Sequence, residues 1–281
     1  MSPETIGVIG IVLLLVLFLM RFPVSFSLIL VGLFGITMIR GWETALIQLG
    51  TTPFSTASSY SLSVIPLFVL MGMFLSYSRF GNDLYRAVDA WIGHIRGGLA
   101  ITTIGTSALF SAISGSVNAT TATMARIALP EMKKYKYDPA LSTACVAAGG
   151  TLGILIPPSV ILVLYGVLTM EPIGQLLIAG IVPGLLQMVL FIAAIYVMVL
   201  RKPSIAPVTE KKELSARFRA LNSVWPFLLL FLISIGGIYK GFFTPTDASA
   251  VAVVYCLALT LVYRERSIKE LPSVILESAV V

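Results

Sequence analysis

Long apolar runs separated by short polar segments dominate the sequence. A transmembrane helix needs about 20 apolar residues to cross a hydrocarbon core of roughly 30 Å. The pattern therefore predicts an all-α polytopic membrane protein. The apolar stretches are Ile6–Met20, Pro23–Ile39, Leu62–Tyr77, Gly97–Ala125, Pro139–Met170, Ile173–Leu200, Val224–Tyr239 and Pro245–Tyr263.

The stretch Pro139–Met170 is too long for one regular span. Its 32 residues carry no charge and would form a helix of ~48 Å. Its middle reads GGTLGILIPPS, residues 149–159, in which glycines weaken a helix and two adjacent prolines lack N–H groups. We expect a broken helix here, with the carbonyls of Gly153 and Ile154 left without helical partners.

The stretch Gly97–Ala125 is apolar at its ends but polar in the middle, SAISGSVNATTA, residues 111–122. It could be one overlong span or two half-length helices. The hairpin alternative leaves almost all Lys and Arg side chains on one side, with Arg40 and Lys240 as exceptions, as the positive-inside tendency requires. We therefore predict a re-entrant hairpin facing the cytoplasm, with its tip near Ser114–Asn118 and a periplasmic N-terminus.

Two backbone interruptions at membrane depth need an explanation. Non-helical backbone survives there only where protein or a water-filled cavity satisfies it. The simplest solution packs the hairpin tip against the break with an ion between them. Hydroxyl and carbonyl oxygens without a carboxylate suit a monovalent cation such as Na⁺. The alternative is that small residues merely allow close helix packing.

The basic segment 201–219 divides the chain into two parts with related patterns. The two spans after it mirror the first two spans in reversed orientation. Each pair is followed by an amphipathic stretch, residues 41–58 and 267–281, expected to lie along the membrane interface. Inverted repeats with broken helices are typical of secondary transporters. The second repeat stops before a partner hairpin, so we expect a truncated chain.

This pattern predicts five segments of different role. They are 1–96, three spans with the amphipathic arm and connecting helices on the scaffold side; 97–172, the hairpin and broken helix as half of a transport domain; 173–200, the span closing the first repeat; 201–222, a basic cytoplasmic linker; and 223–281, the start of the second inverted repeat.

Composition excludes several function classes. The chain is 57% hydrophobic and 11% charged, far from the quarter of charged residues typical of soluble domains. Its net charge of +6 follows from membrane topology and indicates no nucleic-acid partner. Cys145 and Cys256 lie in apolar segments and are interpreted as buried hydrophobic side chains. No cofactor is expected beyond Na⁺ as a coupling ion.

An intramembrane enzyme finds little support. His94 is the only histidine, which excludes an HExxH metal site, and we place it on an amphipathic connecting helix. The pair Tyr137–Asp138 matches one motif of intramembrane aspartyl proteases but has no GxGD partner. Asp247, in TPTD, is predicted to cap a helix that starts at Pro245; a proton-relay role is the alternative. We therefore expect a protein that is not an enzyme.

Four motifs together resemble a known family. PLFVLMG at Pro66–Gly72, SAISGSVNATTATM at Ser111–Met124, GGTLGILIPPS at Gly149–Ser159 and GFFTPTDASA at Gly241–Ala250 are similar to the large membrane subunit of tripartite ATP-independent periplasmic (TRAP) transporters. The resemblance implies an inverted-repeat, elevator-type transporter of the bacterial inner membrane. It also implies a small four-helix membrane subunit and a periplasmic solute-binding protein as partners, with import of C4-dicarboxylates, sialic acid or related sugar acids.

The resemblance also implies site residues. A first sodium site would use Ser114 at the hairpin tip and the backbone of Gly153, Ile156 and Pro158 in the break. Ser116, Asn118 and Thr121 are hypothesised neighbours for sodium or for the substrate carboxylate. The family's second hairpin, second broken helix and second sodium site have no counterpart here, so we expect no transport by this length of chain alone. An ion channel is the remaining alternative.

Overall fold

The structure is a computed structural model that describes residues 2–209, 211–262, 275, 276 and 278. Within that part the chain forms thirteen α-helices joined by short loops and 3₁₀ turns, and it contains no strand. This confirms the all-α prediction. The second predicted interfacial stretch, residues 267–281, lies outside the described residues except for residues 275, 276 and 278.

The chain divides into two compact units, residues 1–60 and 61–281. The first unit contains three helices. Many large apolar side chains on them are exposed, Leu19 at 84% among them, as expected of a surface that faces lipid. The first predicted interfacial stretch is helical. The three helices are α1 Pro3–Leu19, α2 Val24–Arg40 and α3 Trp42–Ala57.

The second unit holds the remaining helices and the principal core. Its buried centre is α6, in which nearly every residue is covered. The helices are α4 Val64–Tyr77, α5 Phe80–Ile92, α6 Gly98–Ser114, α7 Val117–Lys134, α8 Pro139–Thr151, α9 Val160–Thr169, α10 Ile173–Arg201, α11 Leu214–Asn222, α12 Trp225–Tyr239 and α13 Pro245–Val262.

Several helices are long and apolar enough to cross a bilayer. Among the described residues, α10 and α13 pass by length and composition, and up to four spans result if two bent helix pairs each count as one. Other apolar helices, such as α1 and α2, have 17 residues each. Together with the exposed apolar surface, these helices support a multi-pass membrane protein.

Helices α6 and α7 form the predicted hairpin. The chain reverses at Gly115 and Ser116, inside the expected tip. Ser114 lies beside Thr120 near the tip, and Thr103 donates to the sulfur of Met132 at the base (3.7 Å), so the two helices run antiparallel along their length. The helices are longer than the predicted half-spans, because α7 continues through Lys134.

The predicted break in Pro139–Met170 is also confirmed. Helix α8 ends at Thr151, a 3₁₀ turn covers Leu152–Ile154, and α9 begins only at Val160. The Asp138 carboxylate caps the start of α8 by accepting hydrogen bonds from the backbone N–H groups of Ala140 and Leu141. The long apolar stretch is therefore two helices of 13 and 10 residues.

Tyr137 fixes the base of the hairpin. Its hydroxyl accepts a hydrogen bond from the backbone N–H of Leu99 at 3.2 Å. Burial raises the pKa of this Tyr137 hydroxyl above its ordinary value. Tyr137 therefore has a structural role in the loop before α8.

Segment 201–222 packs closely against its neighbours, which the pattern of charges did not indicate. Lys212 forms an ion pair with Asp89 of α5 (Nζ to Oδ2, 2.5 Å), and the Thr209 hydroxyl donates to the Gly93 carbonyl (2.7 Å). Phe218 of α11 contacts the Trp91 ring edge-on, with centroids 5.7 Å apart. The basic segment is thus attached to α5.

The prediction for His94 is wrong in one respect. Helix α5 is amphipathic, but it ends at Ile92, and His94 lies in the following turn. The backbone of Gly93 is still helical, and the chain then turns through His94 to Gly97, whose φ of 73° lies outside the helical range.

The predicted cap at Asp247 is confirmed. Its carboxylate accepts hydrogen bonds from the Thr244 backbone N–H (3.1 Å) and hydroxyl (2.6 Å), and the Asp247 N–H donates back to the Thr244 hydroxyl (3.2 Å). This reciprocal pair is a capping box. Cys145 and Cys256 are free and buried, as expected.

Arg217 is expected to hold segment 201–222 in place. It is 7% exposed, donates from Nε to the Lys212 carbonyl (3.0 Å) and lies 6.0 Å from the Trp91 ring centroid. Loss of these contacts by Arg217→Ala should cost about 1–2 kcal/mol. Trypsin cleavage after Lys211 and Lys212 should then accelerate about tenfold, because proteolysis follows the population of the opened segment. The control Arg219→Ala, on the same helix, should leave the rate unchanged; equal rates in both variants would contradict this role.

Candidate functional site

The hairpin tip consists of two residues, one with a left-handed and one with an extended backbone conformation. Helix α6 ends at Ser114, and Gly115 adopts a left-handed φ of 59°. Ser116 is extended and caps α7, since its hydroxyl accepts a hydrogen bond from the Ala119 N–H at 3.3 Å. The SGS sequence therefore ends one helix and begins the next within two residues.

Three buried hydroxyls cluster below the tip. Ser114 Oγ lies 2.9 Å from Thr120 Oγ1, and Ser111 Oγ lies 3.3 Å from the same atom. All three side chains have 0% exposure. Ser114 was predicted as a site residue, whereas Ser111 and Thr120 were missed. Their spacing around the hairpin turn was the available signal, because antiparallel helices bring residues equidistant from the tip together.

The break supplies backbone oxygens and a second capping serine. The Ile154 carbonyl, expected to lack a helical partner, accepts a hydrogen bond from the Ser159 hydroxyl at 2.6 Å. The same hydroxyl accepts from the Leu162 N–H at 3.4 Å and so caps α9. Ser159 thus joins both sides of the break.

The tip and the break lie against each other. The Val160 N–H donates to the Gly115 carbonyl at 3.3 Å, and a Cβ on Gly115 would strike the Pro158 carbonyl oxygen. On the other side, a Cβ on Gly153 would lie 3.3 Å from the backbone of Ser116. Glycine is required at Gly115, where a side chain would force the two backbones apart, and Gly153 allows their close approach on the other side.

Two further helices hold these interruptions in place through glycines. Gly72 of α4 packs on Ser114, whose carbonyl oxygen would be 3.0 Å from an added Cβ. Gly180 and Gly184 of α10 form a GxxxG surface that contacts the backbone of Leu155 and Ile156, respectively. Gly72 was missed as a site residue, although it ends the PLFVLMG motif.

Four helix ends converge on this contact. Helices α6 and α8 end here, and their last carbonyls carry partial negative charge; helices α7 and α9 begin here, with partial positive charge. Carbonyl ends favour a cation, and amide ends favour an anion. The arrangement can therefore bind a cation and an anionic group close together.

The structure places three of the four residues predicted for the sodium site at or beside the contact between tip and break. Gly153 lies against Ser116, Pro158 lies against Gly115, and Ser114 directly precedes Gly115; all three are buried. Ile156 is adjacent in the break, 8% exposed, and packs against Gly184.

The three residues predicted to contact substrate lie in three different environments. Ser116 lies at the tip and caps α7, as described above. Thr121 faces α8, where its hydroxyl contacts Gly150. Asn118 is exposed and lines a groove between α4 and α7.

The available ligands are neutral oxygens. Among the described residues, no three His, Cys, Asp or Glu side chains are grouped closely enough to hold a metal ion. Hydroxyl and carbonyl oxygens of the kind gathered at the tip are ligands that hard cations prefer. The oxygens gathered at the site are therefore of a kind that can coordinate a hard cation.

The chain is similar to known transporter subunits. Residues 11–281 match the family described as tripartite ATP-independent periplasmic transporter, DctM component. It is 42% identical over 80% of its length to a C4-dicarboxylate TRAP transporter large permease protein of Pseudomonas aeruginosa, covering 52% of that protein. It is 36% identical over 91% of its length to an ectoine TRAP transporter large permease of Halomonas elongata, covering 60%.

Other relatives differ in substrate and in subunit organisation. An isethionate TRAP transporter permease, DctMQ, of Oleidesulfovibrio alaskensis is 33% identical over 92% of the chain, which covers 40% of it. These relatives are named as permeases of transporters, which are not enzymes. The chain spans about half the length of the curated relatives it matches. With its motifs, hairpin and broken helix, the chain belongs to the DctM component family of tripartite ATP-independent periplasmic transporters.

Proposed function

We propose that this chain is part of a sodium-coupled secondary transporter that imports an organic acid across the bacterial inner membrane. The single observation that supports it most is the contact between hairpin tip and broken helix at Gly115 and Val160. This contact gathers the carbonyl ends of two helices and the amide ends of two others, which is how secondary transporters hold ions and anionic substrates.

In this proposal Na⁺ binds where the tip meets the break. The ligands are the Ser114 hydroxyl and the backbone carbonyls of Gly153, Ile156 and Pro158. Thr120 positions the Ser114 hydroxyl through the 2.9 Å contact between their oxygens. Ser116 and Asn118 are proposed to face the transported solute near the positive end of α7, whereas Thr121, which contacts Gly150 of α8, is proposed as a neighbour of the sodium ion.

Transport would follow an elevator mechanism. The hairpin and broken helix, residues 97–172, would move as half of a transport domain built from inverted repeats, against a scaffold formed on the side of residues 1–96. The N-terminus would be periplasmic. The partners would be a small four-helix membrane subunit and a periplasmic solute-binding protein that delivers the solute.

The substrate class follows from the relatives. C4-dicarboxylates, sialic acid and related sugar acids were the expectation, and ectoine and isethionate appear in the names of other relatives. All of these molecules carry a carboxylate or a sulfonate group. We therefore propose a small oxyanion-bearing solute. The names of the relatives favour a carrier over an ion channel.

A sodium titration of the purified chain tests the site. Its apparent melting temperature should rise as Na⁺ replaces choline at constant ionic strength, because a ligand that binds only the folded state stabilises it, by about 2.7 kcal/mol at 100 times its Kd. Ser114→Ala should abolish the rise.

The matched control is Ser234→Ala, a buried serine in α12, which should keep the full sodium response. The assignment fails if the wild-type chain melts at the same temperature in both salts, or if Ser114→Ala responds to Na⁺ like the wild type.

A further inference from the structure

A groove between α4 and α7 extends from the hairpin tip toward the base of the hairpin. It has a volume of about 240 Å³, slightly below the roughly 300–1,000 Å³ of pockets for drug-sized ligands. Such a volume suits a solute of few heavy atoms. Its lining consists of Val69, Met73 and Ser76 from α4 and Ser116, Asn118, Ala119, Ala122 and Arg126 from α7.

The α7 side of this groove has a specific pattern of side chains. Asn118, Ala122 and Arg126 follow one another at intervals of four residues, so they lie on one face of the helix. The two alanines of the lining are small and leave space between the amide at one end and the guanidinium at the other. These ends are separated by ~12 Å along the helix axis, which is enough for a small organic acid.

Arg126 is held at the groove by α4. Its Nη2 donates to the Ser76 carbonyl at 3.4 Å, near the C-terminal end of that helix. Side chains on a helix tilt toward its N-terminus, which here is the hairpin tip. Arg126 is also the only cation in the sequence between Arg96 and Lys133. The guanidinium therefore places a positive charge in an otherwise uncharged groove.

We propose that this groove binds the oxyanion group of the transported solute and that Arg126 is its charged anchor. The proposal rests on the proposed transport function and extends it to a specificity-determining residue. Guanidinium recognises carboxylate and sulfonate groups by charge-assisted hydrogen bonds. Asn118 adds an amide donor at the other end of the groove, and Val69 and Met73 form an apolar wall for the carbon skeleton.

Thiol labelling of Ala122→Cys measures the charge that a solute meets in the groove. Ala122 is exposed, while the native cysteines are 3% and 1% exposed, so the new thiol should react selectively. Two methanethiosulfonate reagents are compared in sodium-free buffer. One carries an ethylsulfonate group, the head group of isethionate, and the other carries a trimethylammonium group.

The measured quantity is the rate of the anionic reagent divided by the rate of the cationic reagent. This ratio should be higher for the thiol in the groove than for a free thiol in solution. Adding Arg126→Gln should lower this preference about tenfold, the factor for ~1.4 kcal/mol of charge interaction. Arg126→Lys should preserve it. The matched control Lys133→Gln, an exposed cation on the same helix, should change nothing. Millimolar succinate and isethionate should slow labelling, whereas neutral succinamide should not.

The proposal is overturned if Arg126→Gln leaves the rate ratio unchanged, or if charged and neutral solutes slow labelling equally. Since the ratio is measured without Na⁺, its failure is distinct from a failure of the sodium titration.

Discussion

Gly115→Ala is expected to separate the hairpin tip from the broken helix. Gly115 has a φ of 59°, and its Cβ position is occupied by the Pro158 carbonyl oxygen. A left-handed alanine costs about 1–2 kcal/mol, and the contact with a backbone atom adds to this cost. The apparent melting temperature should fall by at least about 2–3 °C, and the stabilisation by Na⁺ should disappear because the two halves of the site move apart.

Gly236→Ala provides the matched comparison. Gly236 lies inside α12, and nothing is within 4 Å of its Cβ position. Alanine is favoured over glycine in a helix by up to about 1 kcal/mol, so this variant should melt at the same temperature as the wild type or slightly higher. A sodium response that survives in Gly115→Ala would show that the contact between tip and break does not form the ion site.

Gly180→Leu is expected to push α10 away from the break. A side chain at this position meets the backbone carbonyl of Leu155 and the side chain of Leu162. Overpacking of this kind typically costs about 1–3 kcal/mol. Because Leu155 and its neighbour Ile156 are displaced, sodium affinity should fall along with the melting temperature in the same titration.

Val182→Leu is the control on the same helix. Val182 is 73% exposed, so a larger side chain there should change neither the melting temperature nor the sodium response. If Gly180→Leu lowered stability but left sodium affinity intact, the GxxxG surface would support the fold without positioning the site.

The two interruptions could be predicted from the sequence because their causes are local. Gly115 permits a left-handed turn, and the Pro157–Pro158 pair fixes φ and removes N–H donors, whatever surrounds these residues. The distribution of Lys and Arg then distinguished a hairpin from an overlong span. The capping box at Thr244 and Asp247 was equally accessible, because both partners lie within one turn.

Other features depend on contacts between distant residues and could not be predicted this way. Segment 201–222 was predicted only as a basic cytoplasmic linker, and its attachment to α5 depends on Asp89 and Gly93, which lie more than 100 residues earlier. Gly72 has no local signature, since only the approach of Ser114 leaves little room for a side chain there. The turn at His94 could not be predicted from the amphipathic pattern of the sequence that contains it.

The convergence of four helix ends has a consequence for the energy of crossing a bilayer. Each helix end carries roughly half an elementary charge, so the two carbonyl ends amount to about one negative charge and the two amide ends to about one positive charge. One Na⁺ and one carboxylate would neutralise them pairwise. The four helix ends are electrically balanced when loaded in this way, whereas with only one of the two bound they would hold an uncompensated charge at membrane depth, which is costly.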